Sequence, residues 1–321
     1  MLKIGLTYDL QTDAGDERQA EFDPPRTIEC VSASLESLGH QVYRIGNAQD
    51  LLASIERWRA LDLVFNIAEG SGGRCREAWV PALLELLHIP YVGSAPGALA
   101  IGLDKVASKR LALGCGVRTP AWMMFTDVEK WDGRVSIRLP AIVKPRYEGS
   151  GIGIDEGAVV SDPPALRQRV QWLSERVQQP ILVEEFVPSG ELTVCVIGNA
   201  PPAAYPAIQR PLDPRTRLAS HVVPRAQGWE APIELTPALD AEARGIALKI
   251  FTAMGCRDMA RIDLRVDADG RCWFLEINPL PSVDPDGSFG LLAEYLGTNY
   301  TQIIGRILDA ARMRLSIQDP A

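Results

Sequence analysis

Histidine is scarce in this chain of 321 residues: His40, His88 and His221 are the only copies. With no G-x-S-x-G or H-E-x-x-H run around them, a serine triad or a zinc-hydrolase centre has nothing to stand on. Six cysteines, at 30, 75, 115, 195, 256 and 272, form no C-x-x-C pair and no ligand-like spacing. That excludes a zinc ribbon and a disulfide framework and leaves reduced thiols. Basic runs are missing too. A formal net charge of -8 gives no electrostatic footprint for nucleic acid or an anionic membrane surface. No segment approaches ~18 uncharged apolar residues, and the N-terminal stretch meets Asp9 before it could act as a secretion signal. A cytoplasmic, membrane-free location is expected. Gly-Lys-Ser/Thr occurs nowhere, so there is no P-loop.

The most informative run that is present is Arg261 to Val266, the turn Asp267-Ala268-Asp269-Gly270, and Cys272 to Pro279. It reads as a β-hairpin. Apolar residues fall on Ile262, Leu264 and Val266 in one strand and on Trp273, Leu275 and Ile277 in the other. A register that puts Leu264 and Trp273 on one face gathers Arg261, Asp263, Glu276 and Asn278 on the opposite one. Neighbouring partners in such a ladder lie roughly 5 to 8 Å apart at Cβ. Asp263 and Glu276 can then hold divalent cations between them, with the Asn278 carbonyl as a further hard ligand, a donor set that favours magnesium. Taken alone, the same alternation also describes an ordinary hairpin with a solvated polar face.

Upstream, strands at Leu2 to Thr7, Gln41 to Ile45 and Asp62 to Ile67 alternate with helices at Thr27 to Leu38 and Leu51 to Trp58. That pattern implies a parallel sheet wrapped by helices, with ligands gathering at the carboxyl ends of the strands. After Gly116 a small α+β unit follows, with strands at Ala121 to Phe125, Ala141 to Lys144 and Ile181 to Phe186 and a helix at Pro164 to Arg176. Pro201 to Pro232 holds seven prolines without periodicity and reads as a long surface loop that includes a mobile lid. A helix from Pro237 to Met254 precedes the hairpin.

Lys144 at a strand end, followed by Glu148-Gly149-Ser150-Gly151-Ile152-Gly153, is phosphate-binding chemistry, because glycines let backbone N–H groups close around phosphate oxygens. By itself the run also reads as a glycine-rich turn. Together with Lys105 near a helix start, the acids Glu184 and Glu185 at a strand end, and the distant acidic hairpin, it describes a nucleotide held between two units.

Phe65-Asn66, Gly93-Ser94, Leu103 to Arg110, Val143-Lys144-Pro145 with Glu148-Gly149-Ser150, Val183 to Phe186 with Glu191 to Val194, Ala260 to Arg265, and Leu275 to Pro281 follow in an order that spans nearly the whole chain. In that order the chain resembles the D-alanine:D-alanine ligase branch of the ATP-grasp superfamily. The resemblance implies an N-terminal Rossmann-like domain at about 1-100, followed by the two-lobed ATP-grasp fold, a small lobe at about 101-187 and a C-terminal lobe at 188-321. It implies ATP between the lobes, with Lys105 and Lys144 on the phosphates and Gly149, Ser150 and Gly151 folding over them. Glu184, Glu185, Phe186 and Val187 would line the adenine site and Glu191 would take the ribose. Asp263, Glu276 and Asn278 would bind two magnesium ions. Arg261 would stabilise the oxyanion of the tetrahedral intermediate, with Ser150 a further catalytic candidate. The family is dimeric, so a homodimer is implied.

The amino-acid half of the pattern departs from the family. Glu21 or Asp23 stands where the family holds the first substrate's ammonium, Glu69-Gly70 replaces its histidine-glycine, and the lid tyrosine and lysine have no counterpart among Arg210, Arg215, Arg217, His221 and Arg225. The second-substrate loop reads Leu280 to Ser288, offering Ser282, Asp284 and Ser288 as substrate contacts. Extra acids suit a cationic or amine-rich acceptor, while Arg74, Arg76 and the lid arginines suit an anionic donor. The leading expectation is an ATP-dependent carboxylate-amine ligase acting on small molecules other than two D-alanines. The alternatives are a true D-alanine:D-alanine ligase and a non-catalytic ATP-binding protein.

Overall fold

The computed structural model describes residues 1–219 and 228–317. Three sheets organise them. In the first, Gln41–Gly46, Lys3–Thr7, Leu63–Asn66 and Tyr91–Val92 pair in that order, all parallel. Ile4, Leu6, Leu63 and Phe65 are fully buried, as expected for strands covered on both faces. Helix Pro25–Ser37 starts on a proline, whose missing N–H would be unpaired at that position anyway, and buries Ile28, Val31 and Leu35 at helical spacing. Against it lies the last helix, Tyr300–Leu315, capped by Asn299 and burying Ile303, Ile304, Ile307 and Leu308. These residues from the end of the chain share one core with Leu2, Ile4 and Leu6 from its beginning.

The second, antiparallel sheet runs Trp122–Phe125, Ile181–Glu185, Ala141–Pro145, Val159–Val160. Val143, Ile181 and Val183 pack on helix Pro163–Arg176. Side-chain alternation sends Ile142, Lys144 and Glu184 the other way. The third sheet is built on Gly190–Ile197, Met259–Val266 and Cys272–Asn278. Leu192, Val194, Ile262 and Leu264 pack beneath helix Pro237–Met254, leaving Glu191, Thr193, Arg261, Asp263 and Arg265 on the opposite face.

The hairpin is where strict alternation fails. Arg261 faces Asn278, Ile262 faces Ile277 and Asp263 faces Glu276, but then the register shifts and Leu264 pairs with Phe274 and Val266 with Cys272. The extra residue is a β-bulge, which reverses the side-chain phase of everything before it in the strand. Phe274 and Cys272 therefore fill the core in place of Leu275 and Trp273, contrary to the alternation expected from sequence. Leu275 turns into the cleft and Trp273 donates through Nε1 to Asp267 at 2.8 Å. The four polar residues still share a face, because they lie on one side of the bulge.

Other boundaries differ for local reasons. The helix expected at 51–58 is two, Ala48–Ala53 and Ile55–Trp58, broken at Ser54. Helix Pro96–Leu103, apolar all round, has no amphipathic period to reveal it. The 201–232 segment is not one loop: Ala203–Ala204 and Ile208–Gln209 add to the edge of Gly190–Ile197. Part of the expected lid, with His221 and Arg225, lies outside the described residues.

Asp104 separates Pro96–Leu103 from Lys105–Gly114. Its carboxylate accepts from the Val106 and Ala107 N–H groups at 3.0 and 3.1 Å and pairs with Arg146 at 2.6 Å. Replacing Asp104 by alanine removes this N-cap and is expected to cost about 1–2 kcal/mol, read as a fall in Tm of roughly 2–4 °C per kcal/mol.

Candidate active site

The cleft between the second and third sheets is a cavity of about 470 Å³. Its walls are Ile142, Phe186, Leu218 and Leu275, and its floor is polar: Lys105, Lys144, Glu184, Glu191, Arg261, Asp263 and Glu276. Such a volume is in the range of small-molecule and cofactor pockets. Gly149, Ser150 and Gly151 cross its mouth, and Glu185, Val187 and Ser288 also line it. A second cavity of about 250 Å³ adjoins it and shares Lys105, Gly149, Ser150, Arg261, Glu276 and Ser282. Glu21, Asp23, Glu69, Asn278 and Asp284 line this second space. Each nucleotide, metal and substrate residue expected from sequence thus borders one cavity or the other, whereas Arg74, Arg76, Arg215 and Arg217 border neither.

The charges are tightly arranged. Glu184, 1% exposed, pairs with Lys144 and, at 2.6 Å, with Lys109. Lys109 Nζ also donates to Thr119 at 2.7 Å, and burial pushes this lysine down to about 8 despite Glu184. Lys105 Nζ lies 3.0 Å from Glu276 and donates to the Glu148 carbonyl at 2.5 Å. Burial alone would raise the Glu276 carboxyl, but Lys105, Lys144 and Arg261 outweigh it and hold it down at about 2. Asp263 accepts from Arg261, from Thr193 Oγ1 at 2.8 Å and from the Asn278 amide at 3.2 Å. Arg210 bonds Thr193 and Ser288. Glu191, expected on a ribose, meets Arg265 at 2.8 Å.

The glycine-rich loop is tethered from the first sheet's side. Glu21 accepts the Gly149 N–H at 2.6 Å, and a Cβ at position 149 would stand 2.6 Å from that carboxylate. Ser150 and Gly151 both adopt positive φ, 46° and 73°, so the backbone turns sharply here. Arg76, 5% exposed, joins Glu21 at 2.5 Å to Glu148 at 3.1 Å. Arg74 stacks on Tyr147. The two carboxylates take up the Arg76 guanidinium, which therefore does not face an anionic donor as the sequence suggested.

Among the described residues no group of three or more His, Cys, Asp or Glu is placed to hold a metal ion by itself. The donors of the hairpin nonetheless fit magnesium, which takes one or two protein carboxylates and completes its shell with phosphate oxygens and water. Asp263 and Glu276 face each other in register, with the Asn278 amide within reach. The lysine pair and the bent glycine loop supply the complementary phosphate contacts.

Sequence reasoning overlooked two residues. Lys109 stands four residues after Lys105, on the same helix face, and that spacing was the available signal. Glu77 sits in a short 3-10 turn, Arg76–Ala78, where an acid before a helix carries no message. It lines the smaller cavity at 8% exposure, and burial and Glu21 push its carboxyl up to about 8. Arg76, Lys105, Glu276 and the neighbouring Glu69 also act on it. A raised acid means that the unfolded chain ionises first, so Glu77 erodes stability as pH rises from 4.5 towards 8. Glu77→Gln lacks that term. Its stability should match the parent's near pH 4 and exceed it increasingly up to pH 8, by at most about 5 kcal/mol, as calorimetry at a series of pH values would show.

Comparison with known proteins gives the same picture. Residues 111–309 match the family model described as D-ala D-ala ligase C-terminus. Over 309 residues the chain is 33% identical to the Sinorhizobium fredii protein y4sG, itself described as uncharacterized, covering 90% of this chain and 88% of that one. It is 32% identical to a D-alanine–D-alanine ligase of a Synechococcus strain, covering 91% and 89%. The crystal structure of the Bacillus anthracis D-alanine–D-alanine ligase complexed with ATP superposes with a TM-score of 0.76 at 23% identity, covering 99% of this chain and all of that one. No described helix is long and apolar enough to cross a membrane.

Proposed function

Since the chain belongs to the D-alanine–D-alanine ligase family, ADP-forming ATP-grasp ligases that use ATP and magnesium, we propose that it joins a small-molecule carboxylate to an amine through an acylphosphate. The observation that carries this is the meeting of Lys105, Arg261 and Glu276 at the junction of the two cavities, where a substrate in the smaller one reaches the cleft. Bound ATP supplies the phosphoryl group, and magnesium spreads its charge. A carboxylate oxygen forms the new P–O bond as the bond to ADP breaks. The amine nitrogen then forms a C–N bond at the acyl carbon, loses a proton, and phosphate leaves.

In this reading Lys105 and Lys144 hold phosphate oxygens, fixed in place by Glu276 and Glu184. Asp263, Glu276 and Asn278 are the magnesium donors. Gly149, Ser150 and Gly151 cover the phosphates, and the Glu21 and Arg76 tether keeps that cover closed against water, which would hydrolyse an acylphosphate. Glu184 to Val187 border the base and Glu191 the ribose. Arg261 points a guanidinium held by Asp263 at the reaction centre, suited to an oxyanion. Glu21, Asp23, Glu69, Ser282, Asp284 and Ser288 border the substrates.

Two D-alanines are the second reading, favoured by the names of the curated relatives at 26–32% identity. The ligase reading is tested by following ADP and phosphate release from the purified protein with magnesium, ATP and amino acids singly and in pairs. Turnover that needs both a carboxylate and an amine supports it; ATP binding with no substrate-dependent release on any pair refutes it.

A further inference from the structure

The smaller cavity holds more negative charge than one amino acid with a single ammonium group can answer. Of the acids that line it, Glu21 is matched by Arg76, Glu276 by Lys105, and Asp284 by the Thr27 hydroxyl at 2.6 Å and the Asp286 N–H at 2.7 Å. Asp23, Glu69 and Glu77 have neither a hydrogen bond nor an ion pair to their carboxylates among the described residues. Two of these three are more than nine-tenths buried: Asp23 is 6% exposed and Glu77 8%. Both carboxylates border the cavity. A buried carboxylate without a partner is expensive, and folds retain one chiefly where a ligand completes it. Burial, together with Asp284 and Asp9, pushes Asp23 up to about 7, a shift that a neighbouring cation would oppose.

The cationic residues lining the cavity are Lys105 and Arg261, both at the end where it opens into the cleft. Lys105 and Arg261, paired with Glu276 and Asp263, supply the cations at the cleft end, while Asp23, Glu69 and Glu77 bring unpaired acids to the same cavity. At roughly 30 Å³ per water, 250 Å³ corresponds to about eight waters. That is room for an extended amino acid.

We propose that this cavity takes a diamino or guanidino acid, its carboxylate towards Lys105 and Arg261 and its distal cation among Asp23, Glu69 and Glu77. Only the direction of the carboxylate rests on the ligase reading; the cation site rests on the three unpaired acids. Glu77 and Asp23 would be the specificity determinants, which a site built for alanine alone would not need.

The test is calorimetric titration of the full chain, with magnesium and ADP present, against lysine, ornithine and norleucine of each handedness, D-alanine, and cadaverine. Lysine or ornithine of one handedness should bind at least tenfold more tightly than norleucine of the same handedness, which has the same chain without the amine. Glu77→Gln, which should fold at least as well as the parent, should erase most of that preference, and Asp23→Asn should do the same. Equal binding of lysine and norleucine, or a preference untouched by both variants, overturns the proposal. So does cadaverine binding as tightly as lysine, since it has no carboxylate to place. Dipeptide formation from D-alanine alone, with diamino acids inert, also overturns it but leaves the ligase reading standing. A lysine preference abolished by Glu77→Gln, with no phosphate released on any pair, upholds the cation site and refutes the ligase reading.

Discussion

Replacing Glu276 by alanine should lower kcat/KM for substrate-dependent phosphate release by roughly 10³-fold, equivalent to about 4 kcal/mol of transition-state stabilisation. Two roles are lost together. Glu276 faces Asp263 across the hairpin as half of the carboxylate pair suited to magnesium, and it anchors Lys105 at 3.0 Å. Its carboxyl is held at about 2, so it is ionised throughout the working range and no change of pH restores the variant. Glu276→Gln keeps the size and removes the charge, and it should lose nearly as much. Steady-state phosphate release, titrated with magnesium, reads the effect. A loss of less than about tenfold in both variants would mean that this acid holds neither metal nor lysine in the reaction.

Arg261→Met should reduce kcat by roughly 10²–10³-fold while the KM for ATP changes little, the pattern of a donor that acts on developing charge. Arg261 approaches Asp263 through Nε at 3.0 Å and Nη2 at 2.9 Å, a fork that fixes the guanidinium plane. Arg261→Lys retains the charge but not the fork, and a drop of at least about tenfold is expected for it too. A variant in which KM for ATP rises and kcat holds would reassign this arginine to nucleotide binding.

The grouping of the residues proposed for the nucleotide was legible in the sequence because they are fixed to regular strands. Asp263, Glu276 and Asn278 share a face by period-two alternation, and Lys144 is followed at once by the glycines. The bulge between Asp263 and Leu264 was not legible, because Leu275 and Phe274 are equally apolar and nothing local says which one faces the core. Nor was the smaller cavity. Its acids come from five places, Glu21 and Asp23, Glu69, Glu77, Glu276, and Asp284, and only the folded chain shows which acquire partners. Arg76 read as a contact for an anion and proved to be the clasp of Glu21 and Glu148, since a cation's role depends on what reaches it from residues distant in sequence. Helix Pro96–Leu103 escaped notice yet packs closely on the chain just past strand Cys272–Asn278: a Cβ on Gly102 would lie 2.4 Å from Pro279.

The closing helix, Tyr300–Leu315, seals the same core that the opening strand begins. However early its strands are synthesised, then, the first sheet has its full core only once residues 303–311 are available to pack on it. A product that stops short of Ile303 lacks the wall of its own first unit. Truncation before Ile303 should therefore leave that core open and the fragment readily cut by proteases, as limited proteolysis would show.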